Sequence, residues 1–212
     1  MNIASIVVNK QSSIRINASR TLYFDPFELP DEKHDADIVF ITHEHYDHFA
    51  PKEIEKAANE KTIYVAPRSM KNTLLKLGTP EDRIYSMVPG QTAIVSGIHI
   101  HAVAAYNHTK PFHPKNNGWL GYVVDIDDSK VYICGDTDDT PEARAVKCDI
   151  ICVPIGGTYT MDAAQAAELV NHIKPRIAVP VHYGSVVGKP KDADTFEAKV
   201  AKNIPVCRKL FF

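Results

Sequence analysis

The chain has 212 residues, 44% of them hydrophobic and 24% charged, the proportions of an ordinary soluble globular protein. A formal net charge of -2 and a pI near 6.5 argue against a nucleic-acid footprint. No apolar run approaches the roughly 20 residues of a membrane span, and Met1-Asn2-Ile3-Ala4-Ser5-Ile6 lacks the basic and then apolar pattern of a signal peptide. The expectation is one domain over residues 1–212, cytoplasmic, with a small-molecule substrate and neither a nucleic-acid nor a membrane partner. The four cysteines, Cys134, Cys148, Cys152 and Cys207, lack zinc-ribbon spacing and read as buried free thiols. Ten histidines are more than a packed domain needs for structure, and His is the commonest metal ligand.

Short strands are predicted over Ile3-Val8, Ile14-Asn17 and Thr21-Phe24, the last ended by Asp25-Pro26. Asp37 to Thr42 is a nearly all-apolar run, the pattern of a strand covered on both faces. Pro51 opens a helix to Ala58, and Thr62 to Ala66 is a buried strand. Ser69 is the expected N-cap of a helix ending at Leu77-Gly78. Strands follow at Ile84-Val88, Thr92-Val95 and Ile98-Ala105. Leu120-Ile126 and Lys130-Cys134 form a hairpin across Asp127-Asp128-Ser129. After a strand at Ile150-Val153, Asp162 and Gln165 make a capping-box pattern. The helix they open carries an apolar stripe at Ala166, Leu169, Val170 and Ile173. A strand at Ile177-Val179 and a helix over Asp194-Lys202 complete the chain. Two β-rich halves, each with helices, bury their apolar faces best as two stacked sheets with helices outside.

The predicted strand Ile38-Ile41 delivers the chain into His43-Glu44-His45-Tyr46-Asp47-His48. His43 and His45, two residues apart, reach one side of an extended loop. A turn aims the adjacent Asp47 and His48 elsewhere, toward a second ion. Imidazole nitrogens with a carboxylate suit zinc first, with manganese, nickel and iron as alternatives.

This cluster resembles the H-x-H-x-D-H signature of the metallo-β-lactamase-fold hydrolases. The resemblance implies an α/β fold, a four-layer αββα sandwich with its metal site at one edge of both sheets. It also implies the downstream ligands. Asp136, in Cys134-Gly135-Asp136-Thr137, resembles the family's metal-bridging Asp. His182, in Pro180-Val181-His182-Tyr183-Gly184, resembles its last ligand. For the third histidine of the first ion, Asn107 stands where many relatives place the ligand. Similar proteins with A-Y-N also carry a later H-P, which points to His113. His108 stays open as the alternative ligand or a substrate contact. His99 and His101 fall within a strand and read as structural or exposed.

Tyr23-Phe24-Asp25-Pro26 resembles the branch that includes the ascorbate-6-phosphate lactonase. Gly118-Trp119-Leu120-Gly121-Tyr122 and Pro154 to Asp162 resemble small prokaryotic metal-dependent hydrolases. Many lactonase-like relatives carry an early G-H-x-S. The matching Asn9-Lys10-Gln11-Ser12-Ser13 has no His, which counts against lactonase activity itself.

The implied chemistry is hydrolysis of a small ester, lactone or phosphodiester. An ion on His43, His45 and the loop histidine keeps an open position, where bound water has a pKa lowered to about 7 and supplies hydroxide. Asp136 bridges to a second ion on Asp47, His48 and His182, and Asp47 is the general base if one ion binds. Asp47 and Asp136 are thus the catalytic candidates. Glu44 and Tyr46 read as supporting or solvent-facing. Lys110 and Lys115 at the mouth could attract an anion, and Tyr159 and Tyr183 could line the pocket. A nuclease of the same fold, or a metal-binding or sensing protein without turnover, is the alternative.

Overall fold

Ile38–Phe40 is apolar and buried at every position, so this strand needs cover on both faces. The computed structural model, which describes residues Met1–Phe212, supplies it with two six-stranded sheets. The first runs β1 (Ile6–Val8), β2 (Ile14–Asn17), β3 (Thr21–Phe24), β4 (Ile38–Phe40), β5 (Ile63–Pro67) and β6 (Ile84–Met87). In the second, β7 (Thr92–Val95), β8 (Ile98–Ala104), β9 (Leu120–Ile126), β10 (Ser129–Ile133), β11 (Ile150–Pro154) and β12 (Ile177–Val181) are likewise side by side.

Both sheets start as antiparallel meanders, β1 to β3 and β7 to β10, and continue in parallel, β3 to β6 and β10 to β12. Most of the parallel connections carry a helix, as crossovers require. These are α1 (Pro51–Ala57), α2 (Lys71–Lys76), α3 (Pro141–Arg144) and α4 (Ala163–Ile173), and α5 (Asp192–Lys199) follows β12. The result is the expected α/β arrangement of two mixed sheets with flanking helices.

The main core draws side chains from both sheets, with Phe24 stacked on Phe40 at 4.4 Å and Tyr122 5.2 Å from Phe40. A smaller core joins Val39 and Ile41 on the other face of the first sheet to Ile54 and Leu74 of α1 and α2. The sheets are also joined by hydrogen bonds beside the histidine loop. Leu120 N donates to Thr42 O at 3.1 Å, and Tyr122 Oη donates to Ile41 O at 2.7 Å.

Most predicted elements are present, with shifts that have local causes. Ile3–Ser5 is a 3-10 turn fastened by the Asn2 side chain, so the first strand starts at Ile6. Arg68–Met70 is also 3-10, and α2 begins at Lys71 with no side-chain cap, so Ser69 is not the N-cap. The last helix is Asp192–Lys199 rather than 194–202. The sequence reading has no counterpart for α3, which Thr140 caps by accepting from Ala143 N, with Pro141 in the first turn. All four thiols are free, but Cys148 and Cys207 are only half-buried.

The expected capping box is formed. Asp162 Oδ1 accepts from Ala164 N and Gln165 N at 2.9 and 2.8 Å, and Asp162 N donates to Gln165 Oε1 at 3.0 Å. Asp162→Ala should lower stability by about 1 kcal/mol. The check is a urea midpoint that falls with no change in slope; an unchanged midpoint would show that the box contributes nothing.

Candidate metal centre

Three strand ends bring the site together. His43 to His48 follow β4, Asp136 follows β10 after two residues, and His182 directly follows β12. Gly135 has φ +63°, and a Cβ there would lie 2.9 Å from Leu120 O, so only glycine lets the chain turn and carry Asp136 inward. His182 itself has φ +57°, a conformation worth roughly 1–3 kcal/mol of strain for a side-chain-bearing residue. Its backbone N–H is held by Gln11 O at 2.9 Å.

The ligand atoms of His43, His45 and His113 all lie within 4.8 Å of one another, and so do those of Asp47, His48 and His182. Asp136 lies between the two groups. Its Oδ2 is 3.3 Å from His113 Nε2 and 3.1 Å from His182 Nε2, and its Oδ1 is 3.2 Å from His48 Nε2.

Neighbouring residues set which nitrogen of each ring faces inward. Asp25 Oδ2 takes the Thr42 hydroxyl proton at 2.6 Å and the His48 Nδ1 proton at 2.7 Å. With its proton given to Asp25, Thr42 Oγ1 can only accept from His43 Nδ1, 2.9 Å away. Asn107 Oδ1 accepts from His113 Nδ1 at 3.0 Å. The Nε2 lone pairs of His43 and His113 therefore point into the cluster. Trp119 packs against His43, His45 and His113 at 4.9, 5.0 and 5.5 Å between ring centres and walls off the first group.

Charge divides the site. Burial favours neutral histidines, yet the Asp136 and Asp25 carboxylates outweigh it and hold His48 well above the ordinary imidazole range. Burial is likewise overcome at His182, where Asp136 raises the pKa. Burial also works against ionised carboxylates, but His182 and His48 hold Asp136 well below its usual range. Asp47 is lowered against burial by the nearby His182, 3.4 Å away, and by His48. On the other side, burial and then His48 push His43 well down, and burial and then His113 push His45 down. His43 and His45 are thus biased toward the neutral form that ligates, while His48 and His182 are biased toward the protonated form, whose proton an ion must displace.

The donor set fits a transition metal. His48 Nε2, His113 Nε2, both ring nitrogens of His182 and Asp136 Oδ1 are buried without a hydrogen-bond partner. Buried polar groups are rarely left so, and imidazole with carboxylate suits zinc and its neighbours. A family model described as a β-lactamase superfamily domain matches residues 9–182, which include every one of these ligand candidates. The chain belongs to the metallo-β-lactamase superfamily.

Relatives of this superfamily member include a UPF0173 metal-dependent hydrolase of Thermococcus onnurineus, 29% identical over 207 residues, 92% of this chain and 91% of the relative. A crystal structure described as a metal-dependent hydrolase from Parabacteroides distasonis superposes with a TM-score of 0.80 at 31% identity, covering 97% of this chain and 93% of that one. CmlA of Streptomyces venezuelae, described as a diiron β-hydroxylase, shares the fold at 13% identity and a TM-score of 0.76, covering 97% of this chain and 52% of its own.

Several sequence candidates lie outside this metallo-β-lactamase centre. His108 is exposed; its ring meets Asp139 O and Tyr106, and it belongs to neither ligand group. Lys110 Nζ is held by Asp138 Oδ1 and Thr160 O, and Lys115 Nζ by Glu142 Oε1 and the Tyr106 ring, so neither is a free cation at the mouth. Tyr183 is buried against Phe212 rather than lining the cleft. Glu44, His99 and His101 are exposed. Tyr46 and Tyr159 line the cleft with His45, Asp47, His113, Asp136 and His182.

Asp25, Asn107, Trp119 and Gln11 have no site role in the sequence reading, although three of them lie in motifs quoted for the resemblance or the third ligand. Gln11 is fully buried at φ +53°. Its Nε2 donates to Asp47 Oδ2 at 3.3 Å, and its Oε1 accepts from Ser185 Oγ at 2.7 Å. Gln11 therefore braces two ligand candidates, Asp47 by side chain and His182 by backbone. Gln11→Ala should weaken metal binding by about 10–100-fold, as measured by competition with a chromophoric chelator. An unchanged constant would show that Asp47 needs no brace.

Proposed function

We propose that this chain, a metal-dependent hydrolase of the metallo-β-lactamase superfamily, works with two transition-metal ions on a small ester, lactone or phosphodiester. His43, His45 and His113 would hold one ion and Asp47, His48 and His182 the other, with Asp136 placed to serve both. The observation that carries this reading is the convergence of buried, unpartnered nitrogen and oxygen atoms on one cluster. When bound, such ions supply Lewis acidity and lower the pKa of water.

The chain's own residues do the rest. Asp25, Thr42 and Asn107 keep the ligand rings turned inward. Asp47 and Asp136, both lining the cleft, stay ionised; with a single ion bound, Asp47 would serve as the general base toward water. Zinc fits the donor set best; manganese, nickel and iron share its preferences, and the diiron chemistry named for CmlA occurs on the same fold. Four free thiols support placing the protein in a reducing cytoplasm. No helix is long and apolar enough to cross a membrane.

Elemental analysis of protein purified without added metal tests this reading. The expected result is close to two ions per chain, loss of esterase and phosphodiesterase turnover on chelation, and recovery on adding the same metal back. Turnover that persists after complete chelation would overturn it.

A further inference from the structure

The walls of the cleft are of a different character from its floor. Above the carboxylates and histidines stand Tyr46, Phe112, Tyr159 and Val186. Tyr46, Phe112 and Val186 are 65%, 40% and 37% exposed, high values for large apolar groups beside a buried polar centre. They are braced rather than loose. Phe112 meets Tyr159 edge to face with ring centres 4.8 Å apart, and Tyr46 meets Phe27 at 6.1 Å. Asn107 Nδ2 donates to Tyr159 O at 2.9 Å while its Oδ1 orients His113, so one residue fixes both a ligand and a wall.

No lysine or arginine lines the cleft. The nearby Lys110 and Lys115 are committed to Asp138 and Glu142. Anionic substrates are normally met by such cations, bidentately by Arg or as a point charge by Lys. The scissile group itself would meet the ions, but a carboxylate on a substrate arm would here meet aromatic faces, which carry negative quadrupole density. The volume, about 220 Å³, is below the ~300–1,000 Å³ usual for ligand pockets, so the arm is short.

We infer that the substrate arm lying between Tyr46 and the Phe112–Tyr159 pair is short, apolar and uncharged, as the acyl chain of a simple carboxylic ester is. This rests on the hydrolase reading above and narrows it. The step is plain hydrolysis: the acyl C–O bond breaks and a C–O bond to the oxygen of water forms. One proton of water goes to the leaving alkoxide, and the products are a carboxylic acid and an alcohol, with no change of oxidation state.

The test compares the kcat/KM of p-nitrophenyl hexanoate and p-nitrophenyl hemiadipate on the metal-loaded protein, with bis(p-nitrophenyl) phosphate as a further hydrolysis probe. Hexanoate should be preferred about tenfold or more over hemiadipate, which differs chiefly by a terminal charge. Phe112→Lys should reverse the preference between the two esters. In parallel, binding of hexanamide is followed by ligand-observed NMR. It should be present in the native protein and lost in Phe112→Ser.

Equal or greater kcat/KM for hemiadipate overturns the inference while the hydrolase reading stands. Phe112-dependent binding of hexanamide without turnover of any probe leaves the apolar arm site standing and overturns the hydrolase reading. Absence of both overturns the inference.

Discussion

Asp136→Ala is expected to lower turnover on the order of 10³-fold and to leave the purified protein short of metal by elemental analysis. The reason is position. Asp136 is the one carboxylate within 3.3 Å of ring nitrogens from both ligand groups, through His113 on one side and His48 and His182 on the other. Asp136→Asn keeps the shape and removes the charge, and it should fail in the same way. Full metal content in Asp136→Asn would show that shape alone is enough and that the bridging assignment is wrong.

The same carboxylate has a second signature. Burial would keep His48 and His182 neutral, and Asp136 is the first of the groups that raise them. A histidine ligates only as the neutral base, so ion uptake at neutral pH expels protons, and affinity weakens as the pH falls. Asp136→Ala removes the main cause of the raised pKa values, so each ion it still binds should expel fewer protons. Calorimetry in buffers of different ionisation heat measures this. Equal proton release in the two proteins would show that Asp136 does not set the charge of these rings.

How much of this is legible in the sequence depends on whether the signal is local. Ile38–Phe40 reads as a doubly covered strand because every residue in it is apolar, and Asp162 with Gln165 reads as a capping box because both partners lie within one turn. The two-sheet arrangement follows from apolar runs alternating with amphipathic helices. His43 to His48 stand out because three histidines and an Asp follow such a run, whereas Asp136, His113 and His182 are picked out only through the resemblance to the family's pattern. What escapes depends on tertiary placement. Asp25 braces His48 across 23 positions, Gln11 braces Asp47 across 36, and Asn107 reaches Tyr159 across 52. No periodicity encodes those meetings. Lys110 and Lys115 mislead for the same reason: a lysine in a loop looks like a free cation until the fold brings Asp138 and Glu142 to it. The four-residue α3 is too short to show a stripe, and its Thr140 cap resembles any polar loop residue.

The choice between His108 and His113 depends on the same kind of placement, and it carries the second large effect. His113→Ala should lose the ion of the first group, with affinity falling by about 100-fold or more, whereas His108→Ala should stay within about twofold. His113 is buried, its Nδ1 is tied to Asn107, and its Nε2 faces Asp136. The exposed His108 turns outward to Asp139 O. The five residues between Asn107 and His113 let the chain leave the end of β8, pass over the surface and return, so that Asn107 N donates to His113 O at 2.8 Å and closes the loop. Asn107 thus stands at the mouth of the return and presents an acceptor, not a ligand. Asn107→Ala should weaken the first ion by about 10–100-fold, and Asn107→Asp, which keeps the accepting oxygen, should recover most of that loss. Loss of the ion in His108→Ala with retention in His113→Ala would reverse the assignment. Equal binding by Asn107→Ala and the native protein would show that His113 is held by packing against Trp119 rather than by its hydrogen bond.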